Sequence, residues 1–208
     1  VIMNVGVADS YFNAGSKIGG ICGYNYGEIS NCHNAATVGA SASSPCVGGV
    51  CGYNQSGSIL NCHNTGILNA DKDDGSYGGV CGQNYNDGTI SSCYNTAEIT
   101  GKGINLGGVC GYNEESNITN CYNISKITAT RENLQNVGGI CGNNTCAISS
   151  CFNTGSIIAG NASGVGGICG YSTETGNISN TFFLKETAAL GVGSNHGAAS
   201  ATEKTAYQ

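Results

Sequence analysis

The chain has 208 residues, among them 35 Gly, 13 Cys, one Pro and no Trp, with 10% charged residues and a formal net charge of −6. Seven scattered basic residues form no patch, which excludes a nucleic-acid binder of the electrostatic kind. Little Leu, Phe, Lys or Arg is left for amphipathic helices, and Ile, Val and Cys recurring at fixed places argue against disorder.

The start carries no charged-plus-apolar leader pattern, and no apolar run approaches the length of about 18 residues needed to span a membrane. With Val1 in place of an initiator, the chain reads as a fragment of a longer polypeptide, so that any export signal, anchor or partner domain would lie outside it.

In chain order, residues 10–15 (SYFNAG) match the closing half of a repeat, with Tyr11 where later units have cysteine. Fuller units open at Gly19, Gly48, Gly78, Gly107, Gly138 and Gly166; residues 107–123 (GGVCGYNEESNITNCYN) show the frame. Their first cysteines are Cys22, Cys51, Cys81, Cys110, Cys141 and Cys169, spaced 28 to 31 residues apart. Recurrence at one such period is the mark of a solenoid.

Three apolar stations recur. One precedes the first cysteine (Ile21, Val50, Val80, Val109, Ile140, Ile168). One lies three residues before the second (Ile29, Ile59, Ile90, Ile118, Ile148, Ile178). The last lies four after the closing Asn (Val38, Leu68, Ile99, Ile127, Ile157). Each sits in a short run bounded by Gly, Asn, Ser or Asp, which predicts three short strands per turn. One turn cannot bury them, but identical turns stacked about 4.8 Å apart share a continuous core. The expected fold is all-β: a right-handed parallel β-helix of six to seven turns over residues 1–183.

Insertions at residues 40–46, 69–76 and 130–136 lengthen one corner and bring Asp71, Asp73 and Asp74, then Arg131 and Glu132. Asn180-Thr181-Phe182-Phe183 replaces the usual close. Residues 184–208, rich in Ala, Gly, Ser and Thr without core periodicity, read as a cap or a linker to a following domain.

Two asparagine columns recur: Asn25, Asn54, Asn84, Asn113 and Asn144, and Asn13, Asn34, Asn64, Asn95, Asn123 and Asn153. Stacked amides satisfy backbone groups that bends leave unpaired, so a structural role is expected. The first cysteines form one thiol column and Cys32, Cys62, Cys93, Cys121 and Cys151 another, 10 to 12 residues later, with Cys46 and Cys146 as extras. Two readings stand: a disulfide inside each turn, or free thiols buried as small apolar groups. Thr181 leaves Cys169 unpartnered, which favours free thiols and a reducing setting. The absence of Cys-x-x-Cys speaks against zinc or iron–sulfur ligation, and no metal or cofactor is expected.

His33 and His63 lack a third ligand and continue as Tyr94, Tyr122, Phe152 and Phe182, beginning with Phe12, an expected aromatic stack. A second column, Tyr24, Tyr53, Tyr112 and Tyr171 with Gln83 and Asn143 between, is the candidate binding face. Catalysis finds little material: Arg131 is the one arginine, and Glu28, Glu98, Asp87, Glu114, Glu115 and Glu174 fall singly or in adjacent pairs at bends. The loop around Asp71 to Asp74 lacks the spacing of a calcium loop.

Residues 47–54 (VGGVCGYN) and 57–66 (GSILNCHNTG), recurring over about residues 10–183, resemble the GLUG-motif repeats of bacterial surface proteins. The resemblance implies secreted or cell-surface adhesin-like proteins, including regions of IgA-specific metallopeptidases outside the catalytic part. No His-Glu-x-x-His occurs here, and the family supplies no catalytic residues to carry over. The expected function is a non-catalytic module, adhesin-like shaft or binding face, extracellular or at the cell surface, with host glycans or surface proteins as partners. A carbohydrate-binding or polysaccharide-cleaving β-helix and a pure spacer are the alternatives.

Overall fold

The computed structural model describes residues 1–131, 135–196 and 200–205. The chain winds into a parallel β-solenoid of about six turns, its strands stacked in five sheets of six to eight strands. A complete turn runs Cys51–Gln55, Ser58–Leu60, His63–Asn64, Leu68–Ala70 and Ser76–Gly78, one strand in each of sheets one to five. Like residues stand on like: Cys51 on Cys22 and Cys81, Ile59 on Ile29 and Ile90, Leu68 on Val38 and Ile99. Among the described residues the only helical element is a single 3-10 turn, Lys185–Thr187.

Five strands per turn replace the three expected. The three apolar stations are all present and, apart from the partly buried Ile21 and Ile157 near the ends, buried, but two strands escape an apolar count. The third strand is two residues long and turns an asparagine inward rather than an aliphatic side chain. The fifth carries a column of changing identity, Ile18, Val47, Tyr77, Leu106, Val137 and Val165, each in register with the next. Tyr77, fully buried, is the largest side chain of that column.

The core has two lobes. Sheets one to three enclose the two cysteine columns and the first two stations; sheets four and five enclose Val38, Ile99, Ile127 and the missed column. Between the lobes the Gly-Gly pairs meet the second asparagine column. A Cβ on Gly79 would collide with Asn95 and the Gly108 carbonyl, and one on Gly78 with the Cys81 carbonyl. Close backbone approach, not turn flexibility, therefore demands the pair.

Both asparagine columns lie inside as ladders. Asn95 Nδ2 donates to Asn123 Oδ1 at 2.9 Å and to the Ala97 carbonyl at 2.8 Å. Asn84 does the same toward Asn113 at 2.9 Å and Gly88 at 3.1 Å. Each amide closes its own bend and links to the next turn until the ladders end at Asn144 and Asn153, which among the described residues donate only to their own bends.

Asn13 and Phe12 depart from expectation. Tyr11–Asn13 pairs with the fourth sheet, Phe12 on Val38 and Asn13 on Gly39, so Asn13 is exposed and outside the ladder. Gly6 and Val7 instead lie under His33 and Asn34, and Ile2 starts the Ile29 column. Register follows where apolar bulk can be buried, and Phe12 packs against the second lobe.

All three insertions join the fourth strand to the fifth. Arg131 reaches back two turns, donating to the Asp73 carbonyl and standing 3.4 Å from Asp74 Oδ1. Glu132 lies outside the described residues. Within the tail, Val192–Asn195 extends sheet one, with Val192 on Cys169, and Thr202–Lys204 extends sheet three. Val192 and Ala201 pack against the first lobe, and Phe183, 3% exposed, takes the register position of Asn153. The stretch read as lacking core periodicity thus still lays two partly buried side chains, Val192 and Ala201, against the core.

Candidate functional site

Outward positions are dictated by strand alternation: in Cys51–Gln55, Asn54 points in while Tyr53 and Gln55 face out. Sheet one therefore presents two outward columns side by side, Tyr24–Tyr53–Gln83–Tyr112–Asn143–Tyr171 and Gln55–Tyr85–Glu114.

Of the four predicted tyrosines, Tyr24 and Tyr53 come together, their ring centroids 4.8 Å apart. Tyr26 stacks on Tyr24 at 4.6 Å and Tyr85 approaches Tyr53 at 6.0 Å, making a four-ring surface. Lys17, from the neighbouring fifth sheet, places Nζ 4.2 Å from the Tyr24 centroid and 4.0 Å from that of Tyr53. The Tyr24 hydroxyl donates to Gln55 Oε1. Tyr26, Tyr85 and Lys17 were missed by counting cysteine-frame positions. The available signal was the two-residue alternation, which sets Tyr26 beside Tyr24, and Tyr85 beside Gln83.

Gln83 interrupts the column, donating to Glu114 Oε2 at 3.2 Å and accepting from Cys46 Sγ at 3.4 Å. Tyr112 and Tyr171 stand apart from the cluster. Tyr171 packs against His196 with ring centroids 5.3 Å apart, and both line a cleft of about 510 Å³ together with Asn143 and Ser194.

Burial, then the nearby Tyr24, pushes the Tyr53 phenol up to about 12. For Tyr24 the Tyr26 hydroxyl is the main cause, ahead of desolvation, of a similar rise to about 12. Tyr112 is raised by burial and then by Glu114. These phenols stay protonated at neutral pH, so the cluster offers ring faces, hydroxyl donors and one ammonium. Such a surface grips rings and carbonyl or hydroxyl groups through stacking and hydrogen bonds.

The other aromatic column lies on sheet three. His33, His63, Tyr94, Tyr122 and Phe152 stack with centroids 5.3, 4.7, 4.8 and 4.9 Å apart and planes within 10°. Phe12 is not part of it. Burial and the adjacent His33 lower the His63 pKa below its ordinary value.

The thirteen cysteines are free thiols. In the second column each sulfur after Cys32 accepts a backbone N–H from the turn below: Cys32 N to Cys62 Sγ, Cys62 N to Cys93 Sγ, Cys93 N to Cys121 Sγ and Cys121 N to Cys151 Sγ, all at 3.4 Å. The residue before each of these cysteines (Asn31, Asn61, Ser92, Asn120, Ser150) is left-handed, with φ between 53 and 56°. That conformation suits Asn and aims the following N–H along the stack. Burial raises the Cys81, Cys110, Cys121 and Cys141 thiols well above their usual range.

A family model described as the GLUG motif matches residues 14–39, 43–69, 73–100 and 102–128. The same register columns continue beyond these matches through Val137, Ile148, Val165 and Ile178. No curated protein and no solved structure matches the chain.

Proposed function

The chain belongs to the GLUG-motif family, and on that footing we propose that it is a non-catalytic β-helical module of a bacterial surface protein whose binding face is the Tyr24–Tyr26–Tyr53–Tyr85 cluster. The observation that carries this reading is a cation shared by two rings on a rigid sheet, with Lys17 Nζ 4.2 and 4.0 Å from neighbouring tyrosines. Rings held by in-register strands lose little freedom on binding, which favours recognition over display alone. The partners are host glycans or surface proteins, met outside the cell.

The non-catalytic reading is supported by where the carboxylates stand. Glu114 is held by Gln83, Glu98 pairs with Lys126 at 3.3 Å, and Asp74 with Arg131 at 3.4 Å, each on a different stretch of surface. A polysaccharide-cleaving site needs two carboxyls across one groove, whereas the clefts that gather carboxylates draw them from one loop (Asp71, Asp73 and Asp74, beside Lys72 and Lys102) or from one bend of two stacked turns (Asp87 on Glu115, with Glu114).

The test is a screen of the chain against a glycan array and a panel of mucosal proteins. The expected result is a specific hit weakened about tenfold or more by Tyr53→Ala and unchanged by Tyr112→Ala. Silence across the panel from folded protein would leave the pure spacer as the better account.

A further inference from the structure

The regular stack on sheet three stops one ring short of its register. Phe182 stands over Phe152 in Cα pairing, but the ring contacts end at Tyr122–Phe152, 4.9 Å apart and 6° from parallel. The Phe182 ring instead lies beneath Lys204, whose Nζ is 5.6 Å from its centroid. Phe152 is left 41% exposed. Where the next ring of the ladder would sit, there is a cleft of about 450 Å³ lined by Phe152, Thr154, Phe182, Leu184 and Lys204.

Two features say what chemistry would fill it. The floor is aromatic and aliphatic and lies at the end of a stack whose geometry already holds rings face to face. Its cation has no carboxylate partner among the described residues, because the adjacent Glu203 is tied to Lys185 at 3.3 Å. An occupant matching both has a ring with an apolar face and one negative charge, with hydroxyls directed to the Thr154 rim. We propose that this cleft binds an acidic pyranose, a sugar ring bearing a carboxylate, stacked on Phe152 and Phe182 with its carboxylate on the Lys204 ammonium. Stacking supplies the orientation and the charge-assisted hydrogen bond supplies the selectivity over neutral sugars. The site is on a different sheet from the tyrosine cluster and does not depend on it.

The experiment is a ligand-observed NMR titration of the chain with N-acetylneuraminic acid, glucuronic acid, glucose and benzoate. Saturable binding of an acidic sugar in the millimolar range is expected, with glucose about tenfold weaker. Lys204→Met, which keeps the aliphatic stem, should weaken the acidic sugar about tenfold and remove the preference over glucose. Phe152→Ala should abolish binding, and Tyr53→Ala should leave it unchanged. Equal binding of glucose, an unchanged affinity in Lys204→Met, or no saturable signal from folded protein would overturn the proposal. So would benzoate that binds without being displaced by either acidic sugar, which would mark a pocket for aromatic acids.

Discussion

Two aromatic columns run up the outside of this solenoid on the same in-register scaffold, and they differ in kind. On sheet three, five rings from His33 to Phe152 stack with planes within 10°. On sheet one, Tyr24 and Tyr53 tilt by 35°, recruit Tyr26, Tyr85 and Lys17 from the sides, and stop at Gln83. A strand only two residues long gives the ring at sheet three no outward neighbour to either side on its own strand, so it can only stack up and down. The longer strand of sheet one exposes a second outward position two residues on, and lateral contacts compete with the stack. Regular stacking thus marks a column serving the fold, and broken stacking leaves ring faces open to something else.

Both columns rest on the same kind of support, and the sharpest way to break the comparison is to remove it. Asn95 and Asn84 each follow the outward residue directly and are fully buried. Replacing either by Ala strands amide partners in the turns below and above and an unpaired carbonyl at its own bend. Each should cost about 3 kcal/mol, read as a shift of the urea midpoint, and the two losses should be alike despite the unlike columns above them.

Cys93→Ala should come next. It removes the sulfur that accepts the Cys62 N–H at 3.4 Å and empties a fully buried site, at a cost of about 2 kcal/mol. The Ser variant, which restores an acceptor, should recover part of the loss, whereas a cysteine that merely filled space would be replaced equally well by Ala.

On the surface the columns themselves should separate. Tyr94→Ala breaks two parallel contacts, at 4.7 and 4.8 Å, and should destabilise by about 1 kcal/mol. Tyr53→Ala should cost less in stability while accounting for the loss of binding. Equal stability losses would mean that both columns are structural.

The smallest effect is a pH dependence peculiar to sheet three. His63 has a lowered pKa in the folded chain because burial and His33 disfavour its charged form. Below the ordinary histidine value of about 6.5 the unfolded chain takes up the proton first. Stability should therefore be full above that pH and fall as pH drops toward the lowered folded value. His63→Phe should flatten that slope between pH 7 and 5 in thermal melts, and an unchanged slope would mean that the imidazole titrates as it does in water.

Much of this architecture was legible in the chain itself. The Gly-Gly, Cys and Asn spacing determined a parallel solenoid, its turn length, the three apolar stations, both amide ladders and the corner that takes insertions, because identical residues stacked at one period can satisfy one another only in register. What the tertiary structure decided is whatever depends on neighbours from another part of the turn. The fifth-sheet column with Tyr77 was hidden because its residues share burial and not identity. The place of Phe12 was hidden because the short match of residues 10–15 to the closing half of a repeat carries less weight than the space available in the second core lobe. The separation of Tyr112 and Tyr171 from Tyr24 and Tyr53, and the addition of Tyr26, Tyr85 and Lys17, follow from side-chain reach between adjacent strands and sheets. A repeat pattern read along one column does not contain that lateral geometry.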